Sequence, residues 1–208
     1  MELQRYRKEG WQHQVGFMMP LIINQKTLNK NYKETCQNMY HSLMRQHYKS
    51  YIMIPYNYGY HWVLLVICME SGNLVVFDSM RCPHAAIQHF IDPLNRVWKQ
   101  FVKKNKGVGQ GKLQLEVRMN FSYARQQQGI DWCGYYVCDY IHGLVKCEKD
   151  TTEDCRISQV YNAAFDIYRI NAVCEQLARF IVKKILDPRG KFYHDGHINS
   201  VRFNILRD

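Results

Sequence analysis

The sequence predicts an α/β (α+β) domain in which one helix, with a cysteine at its tip, packs on a small, largely antiparallel sheet between flanking helices. Three observations predict it. HWVLLVIC, residues 61 to 68, is apolar at every second and every intervening position, rich in branched residues and too short for a typical helix. It therefore reads as a strand buried on both faces. NLVVFD follows across the turn segment MESGN, which makes the two runs neighbouring strands. From Cys133 onward, Val137, Tyr140, Ile141, Leu144 and Val145 recur at steps of three and four, the spacing of a helix with one buried face.

The other elements follow in order. Residues 1 to 34 form a polar N-terminal segment interrupted by VGFMMPLII, and residues 34 to 47 a short helix. SYIMIPY is a strand, with Asn57 to Tyr60 as the loop after it. A helix is expected from Pro83 to Lys104, with Pro83 well placed near its start and Pro93 ending or kinking it. The glycine-punctuated stretch Asn105 to Gly111 is a loop, and KLQLEVRM, 112 to 119, alternates as a third strand. After the cysteine helix, CEKDTTEDCR is charged and exposed. A long helix is expected over 157 to 186, with Val160, Ala164, Tyr168, Val173, Leu177, Phe180 and Ile181 on its apolar side, until DPRG stops it.

With 208 residues, 47% of them hydrophobic, the chain can bury one full core. Its formal net charge of +10 suits acidic partners: nucleic acid, an acidic protein surface or a membrane face. Apart from Lys103, Lys104, Lys106 and Lys112 the basic residues are scattered, and no nucleic-acid-binding motif supports that partner. The polar start MELQRYRKEGWQHQ lacks a signal-peptide pattern, and no apolar run is long enough to span a bilayer. The expectation is an intracellular protein with no membrane partner, in the nucleus sooner than the cytoplasm. In that setting the eight cysteines are free thiols. Without a C-x-x-C pair, no metal site is expected among them. His194, Asp195 and His197 of HDGH read as a polar tail, and His84 and His89 are spaced wrongly to share a ligand face.

One constellation carries chemistry. A helix N-terminus presents unpaired N–H groups and partial positive charge, which favour a thiolate at Cys133. Asp131 is placed to cap that helix, and its charge opposes the effect. A thiol nucleophile needs a base, and the base needs an orienting group. His61 begins one strand and Asp78 ends the next. A hairpin centred near Glu70 sets them opposite each other on strands about 5 Å apart, and a shift of one residue leaves a diagonal contact. The backbone N–H of Cys133 and a glutamine amide, from Gln126 or Gln127, are candidate donors to an oxyanion. Gly129 and Gly134 would let that backbone approach closely. Each residue alone has a plain structural explanation: a strand-closing histidine, a turn aspartate, a buried cysteine, a solvated glutamine. Their convergence is what points to catalysis.

His61-Trp62, Asp78, the glutamine loop and Cys133-Gly134, in that chain order, resemble the ubiquitin-like-protein (SUMO-type) cysteine protease family. IPYNYGYHWVLLVI, VVFDSM, CGYYVCDYI and LARFIVKKILDPRGKFY are most similar to its plant transposon-associated members, and the resemblance covers about residues 50 to 193. It implies a papain-like thiol protease core, with a catalytic domain over 35–193 between the N-terminal segment 1–34 and a tail, 194–208. It implies His61 as general base, Asp78 as its orienter, Cys133 as nucleophile and a glutamine as oxyanion donor. Trp62 would wall a narrow tunnel over the diglycine end of the substrate. The implied partners are SUMO and its conjugates, in maturation or deconjugation, and no metal or organic cofactor is required. Gln-x-x-Gly before the cysteine selects Gln126, whereas the family's common Gln-to-Cys spacing selects Gln127. For the tryptophan in the family's N-terminal part Trp11 is the only upstream candidate, and its surroundings depart from the family pattern, as does the poorly matched segment 1–34. Two other classes fit less well: a catalytically weak transposon-derived binding module with a protease fold, and a basic DNA-associated factor.

Overall fold

The computed structural model describes residues 14–80, 82–119, 124–127, 129, 131–146 and 167–193. Five strands form one sheet in sequence order: β1 (Val15–Phe17), β2 (Tyr51–Tyr58), β3 (His61–Cys68), β4 (Asn73–Phe77) and β5 (Glu116–Arg118). The two central ladders are antiparallel, with eight and five paired residues. The two edge ladders are parallel, with three each. Helices α1 (Gln25–Lys30) and α2 (Tyr32–Arg45) lie between β1 and β2. Helix α3 (Gln88–Lys104) follows β4, and α4 (Cys133–Lys146) follows β5.

The apolar character of β3 on both faces has a direct cause. Val63, Leu65 and Ile67 join Ile52, Ile54, Tyr56, Leu74 and Val76 in one core with α2 and α3. The alternate residues Leu64, Val66, Val75 and Phe77 point the other way and are equally buried. There Phe77 meets Tyr140 of α4, ring centroids 5.4 Å apart. The sheet is thus covered by α2 and α3 on one face and by α4 on the other. On α4 the buried apolar residues are Cys133, Tyr136, Val137, Tyr140, Leu144 and Val145, with Asp139 buried as well, while Ile141 is only half-buried. The helical stripe is therefore rotated slightly from the expected one, toward Tyr136.

Several expected boundaries moved. Strand β2 runs through Tyr58, and the loop predicted over Asn57 to Tyr60 shrinks to Gly59 and Tyr60, since Tyr58 pairs directly with His61. Gly59 (φ 52°) and Tyr60 (φ 67°) are both left-handed, the requirement of a two-residue type I′ hairpin. Pro55 is tolerated in a central strand because its ladder face is the β1 side. Met53, two residues earlier, uses that side for its bond from Met18 N–H, and β1 pairs no further than Met53. Pro93 lies inside α3, which runs unbroken around it. The change of helix type comes earlier, where a 3₁₀ turn (His84–Ile87), preceded by Pro83, meets Gln88.

The third predicted strand, 112 to 119, is reduced to Glu116–Arg118. The preceding residues are held by α3 instead: Trp98 Nε1–H donates to Lys112 O at 3.0 Å and Leu115 N–H to Asn95 Oδ1 at 2.9 Å. At the other edge, Gln46 of the α2 terminus bonds both sides of Phe17, accepting from its N–H at 2.8 Å and donating to its carbonyl at 3.1 Å. That side chain closes the exposed side of β1.

Residues 167–193 belong to a second compact unit. It contains α5 (Ile167–Phe180), continued by a π-helical turn (Ile181–Leu186) that ends at Asp187. Tyr168, Leu177 and Ile181, expected on an apolar face, are exposed, and Ile170 is buried instead. The expected helix segment 157–166, with Val160 and Ala164, lies outside the described residues, as do Trp11, Cys147, Cys155 and the HDGH tail.

Gly109 ties the α3–β5 loop to the β3–β4 turn through its N–H, 2.7 Å from Met69 O. Its φ is +63°, and an added Cβ would sit 2.5 Å from the Trp98 ring. Gly109→Ala should therefore cost about 2 kcal/mol or more, from left-handed strain and overpacking together. Thermal unfolding should show a midpoint lowered by roughly 4 °C or more in a chain of this size.

Candidate active site

The hairpin turn at Gly59 and Tyr60 places His61 at the sheet's end, at the first position of β3. Asp78 is the first residue beyond β4. Continuing the register Leu64↔Phe77 would set Met80, not Asp78, opposite His61. The turn is centred one residue later than expected, so the two meet on the diagonal. They still meet closely: His61 Nε2 lies 2.8 Å from Asp78 Oδ1, and both residues are buried.

Two backbone donors also reach Asp78 from described residues of the chain that curls back after the strand. Met80 N–H reaches Oδ1 at 2.8 Å and Cys82 N–H reaches Oδ2 at 3.0 Å. Burial alone would raise this carboxyl's pKa. His61 and the two N–H groups outweigh it and hold the group below the ordinary aspartate value. Asp78 therefore stays ionised at neutral pH and can fix the orientation of the imidazole.

The remaining ring nitrogen, His61 Nδ1, is buried without a hydrogen-bond partner among the described residues. The imidazole is held on its flank by Tyr58, whose ring packs edge-on at 5.5 Å and 80°. Tyr58 in turn stacks on Tyr56, and the Tyr56 hydroxyl and His89 Nε2 of α3 are 2.9 Å apart. Burial pushes both phenols well above the usual tyrosine range, so they stay neutral. Sequence reasoning missed this support. The only signal was the alternation of Tyr56 and Tyr58 with His61 across a tight turn.

Cys133 is the first residue of α4 and is buried. Its Sγ accepts the N–H of Trp62, the residue next to His61, at 3.4 Å. The sulfur is thereby fixed against the strand that carries the imidazole. The Trp62 ring is half-buried beside the same helix tip, with Cδ1 3.8 Å from where a Gly134 Cβ would stand. A side-chain methyl at Gly134 would thus make only ordinary contact, so the close approach expected there does not require glycine. Asp131 is exposed and makes no capping bond among the described residues.

Gln126 and Gln127 are placed differently. Gln126 is tied to the end of β4: its N–H donates to Ser79 O at 3.1 Å, and its Oε1 accepts from the Ser79 hydroxyl at 2.8 Å. Accepting at the oxygen orients the side-chain amide, whose NH₂ end is the donor side. The same loop is fastened to α4, because the Tyr140 hydroxyl donates to Ala124 O and the Tyr136 hydroxyl to Arg125 O, the latter at 2.9 Å. Gln127 is exposed. Ser79 had no separate signal in the sequence beyond its place after Asp78. The six cysteines within the described residues, Cys36, Cys68, Cys82, Cys133, Cys138 and Cys174, are free thiols.

A mixed α/β domain that sets a helix-tip thiol beside a buried His–Asp pair is a cysteine peptidase domain of papain-like architecture. The Ulp1 protease family, C-terminal catalytic domain, matches residues 5–189, and the chain belongs to that family. Among solved structures it is similar to the Ulp1-like SUMO protease catalytic domain of Chaetomium thermophilum, at 16% identity and TM-score 0.53, over 85% of this chain and 65% of that one. It is similar also to the central domain of the uncharacterised Lpg1148 protein of Legionella pneumophila, at 18% identity and TM-score 0.52, over 82% of this chain and 90% of that one. A third likeness is to the yeast Ulp1 protease domain in complex with Smt3, the yeast SUMO, at 18% identity and TM-score 0.47, over 70% and 63%. No curated protein sequence matches.

Because the Asp78 pKa is lowered in the folded state, its ionisation stabilises the fold above the unfolded aspartate pKa, and this contribution is lost as pH falls through the folded value. Asp78→Asn should cost roughly 1.5–3 kcal/mol at neutral pH. The difference in urea midpoint between variant and parent should persist to about pH 5 and shrink on further acidification. A pH-independent difference would argue against the charged hydrogen bonds as its source.

Proposed function

We propose that this chain hydrolyses the bond after the C-terminal glycine of a ubiquitin-like protein of the SUMO type, releasing it from a precursor or a conjugate. The observation that carries the reading is the pairing of His61 Nε2 with Asp78 at 2.8 Å, while Cys133 Sγ is held at 3.4 Å by the N–H of the adjacent Trp62. Membership of the Ulp1 protease family supports the peptidase class. The SUMO substrate named for its relatives supports the substrate class. The sequence motifs support the narrower kinship with plant transposon-associated members.

In this reading Asp78 holds the imidazole through Nε2, so Nδ1 is the nitrogen that takes the Cys133 proton. The thiolate attacks the glycine carbonyl, and the developing oxyanion is met by the Cys133 N–H and the side-chain NH₂ of Gln126. Gln126 is preferred to Gln127 because bonds to Ser79 aim its amide and because its loop is fastened to the nucleophile helix. The protonated His61 gives its proton to the leaving amine, which yields an acyl-enzyme. Water then attacks with His61 as base. Trp62, beside the helix tip, would select a substrate end without side chains, which fits a diglycine. The net positive charge suits an acidic partner surface.

The test is capture of electrophile-tipped SUMO, with electrophile-tipped ubiquitin as the competitor. A covalent SUMO adduct on Cys133 that Cys133→Ala abolishes is the expected result. Capture of neither would leave a binding module with a protease fold, and preferential capture of ubiquitin would move the substrate class. For hydrolysis of a SUMO–glycine substrate, Gln126→Ala should lower kcat by about 100-fold or more, the usual cost of one oxyanion donor. Gln127→Ala should leave kcat within about twofold, as for a surface residue away from the chemistry.

A further inference from the structure

We propose that His61, Asp78 and Cys82 form a binding site for a zinc-like divalent cation, and that its occupation switches the proposed peptidase off. The consequence for activity rests on the peptidase reading; the binding itself does not.

Among the described residues this is the one group of three histidine, cysteine or acidic side chains whose ligand atoms converge, all within 4.8 Å of one another. His61 and Asp78 are buried and Cys82 is half-buried. An imidazole nitrogen, a carboxylate oxygen and a thiolate sulfur are the three donor types zinc takes, and three protein ligands leave a fourth position for water. The sulfur disfavours magnesium and calcium, which prefer oxygen. The carboxylate is already fixed by the N–H groups of Met80 and Cys82, the kind of outer hydrogen bonding that orients a metal-binding side chain. Hydrolysis as proposed above requires no thiol at position 82. Yet the chain's curl after β4 brings that thiol to the catalytic pair, where the buried Tyr58 hydroxyl lies beside it.

The switch follows from the proton inventory. The hydrolysis proposed above uses His61 with its proton on Nε2, donated to Asp78, and leaves Cys82 as a thiol. A cation bound to Nε2 and to the Cys82 sulfur releases the thiol proton to solvent and moves the imidazole proton to Nδ1. No electron is transferred. A neutral imidazole with its proton on Nδ1 cannot accept the proton of Cys133, so the nucleophile is no longer activated.

Cobalt(II) titration of the Cys133→Ala chain, residues 1–208, tests the binding without any need for activity. The expected result is saturable, one-to-one binding with a thiolate-to-cobalt absorption band that zinc bleaches. Adding Cys82→Ser should abolish the band and weaken binding at least about tenfold, since losing even an outer partner of a metal ligand costs that much. Adding His61→Gln should weaken it as well. A measurement that does not depend on a further substitution is alkylation of the Cys133→Ala chain: zinc should slow modification of Cys82 but not of Cys36. Absence of saturable binding, a band unchanged by Cys82→Ser, or no protection of Cys82 would each overturn the proposal. Because these readouts involve no substrate, their failure leaves the peptidase reading standing. Failure of SUMO capture likewise leaves the metal site standing.

Discussion

A carboxylate with almost no exposure to water is costly unless its charge is met by hydrogen-bond donors, and much of this structure is arranged around meeting that demand at Asp78. One donor is a side chain on the neighbouring strand, His61. Among the described residues, backbone N–H groups two and four residues ahead in the chain donate as well. The strand must therefore end at Phe77, the chain must curl at once, and the hairpin at Gly59 and Tyr60 must deliver His61 to the same end of the sheet. The same packing confines the imidazole, because Tyr58 packs edge-on against it and is backed by Tyr56 and His89.

Cys133 is positioned by a second, independent set of contacts. Helix α4 covers the sheet face opposite α3, with Phe77 and Tyr140 in contact between them. That packing sets the helix height relative to β3, so its first residue meets the N–H of Trp62. The loop from Ala124 to Gln126 is fastened at both ends, to Ser79 beyond β4 and to the tyrosine hydroxyls of α4. A single rigid frame thus spans the strand carrying the imidazole, the end of the strand carrying the carboxylate and the helix carrying the thiol. Sites built on such elements hold their geometry better than sites carried on loops alone.

Much of the central sheet was legible because its signals are local. The doubly apolar run of β3, the turn residues before β4 and the helical spacing after Cys133 each follow from side-chain periodicity. The edges were not legible for the opposite reason. Residues 112 to 115 alternate like a strand but are held by Trp98 and Asn95 of α3, and Asn57 and Tyr58 look like loop but pair with β3. The apolar residues of α5 also misled: Tyr168 and Leu177 recur at helical spacing and are nevertheless exposed.

The sequence by itself determined the α/β class, the strand and helix that carry the candidate residues, and the chain order His61, Asp78, Cys133, because these depend on composition and on short-range periodicity. Only the tertiary structure decided which atoms meet. It set the turn one residue later, so that His61 reaches Asp78 on the diagonal. It separated Gln126 from Gln127 through bonds to Ser79, and it brought Cys82 and Tyr58 to the pair. Those contacts depend on strand register and on how layers pack, and a shift of one residue in either changes which side chains touch.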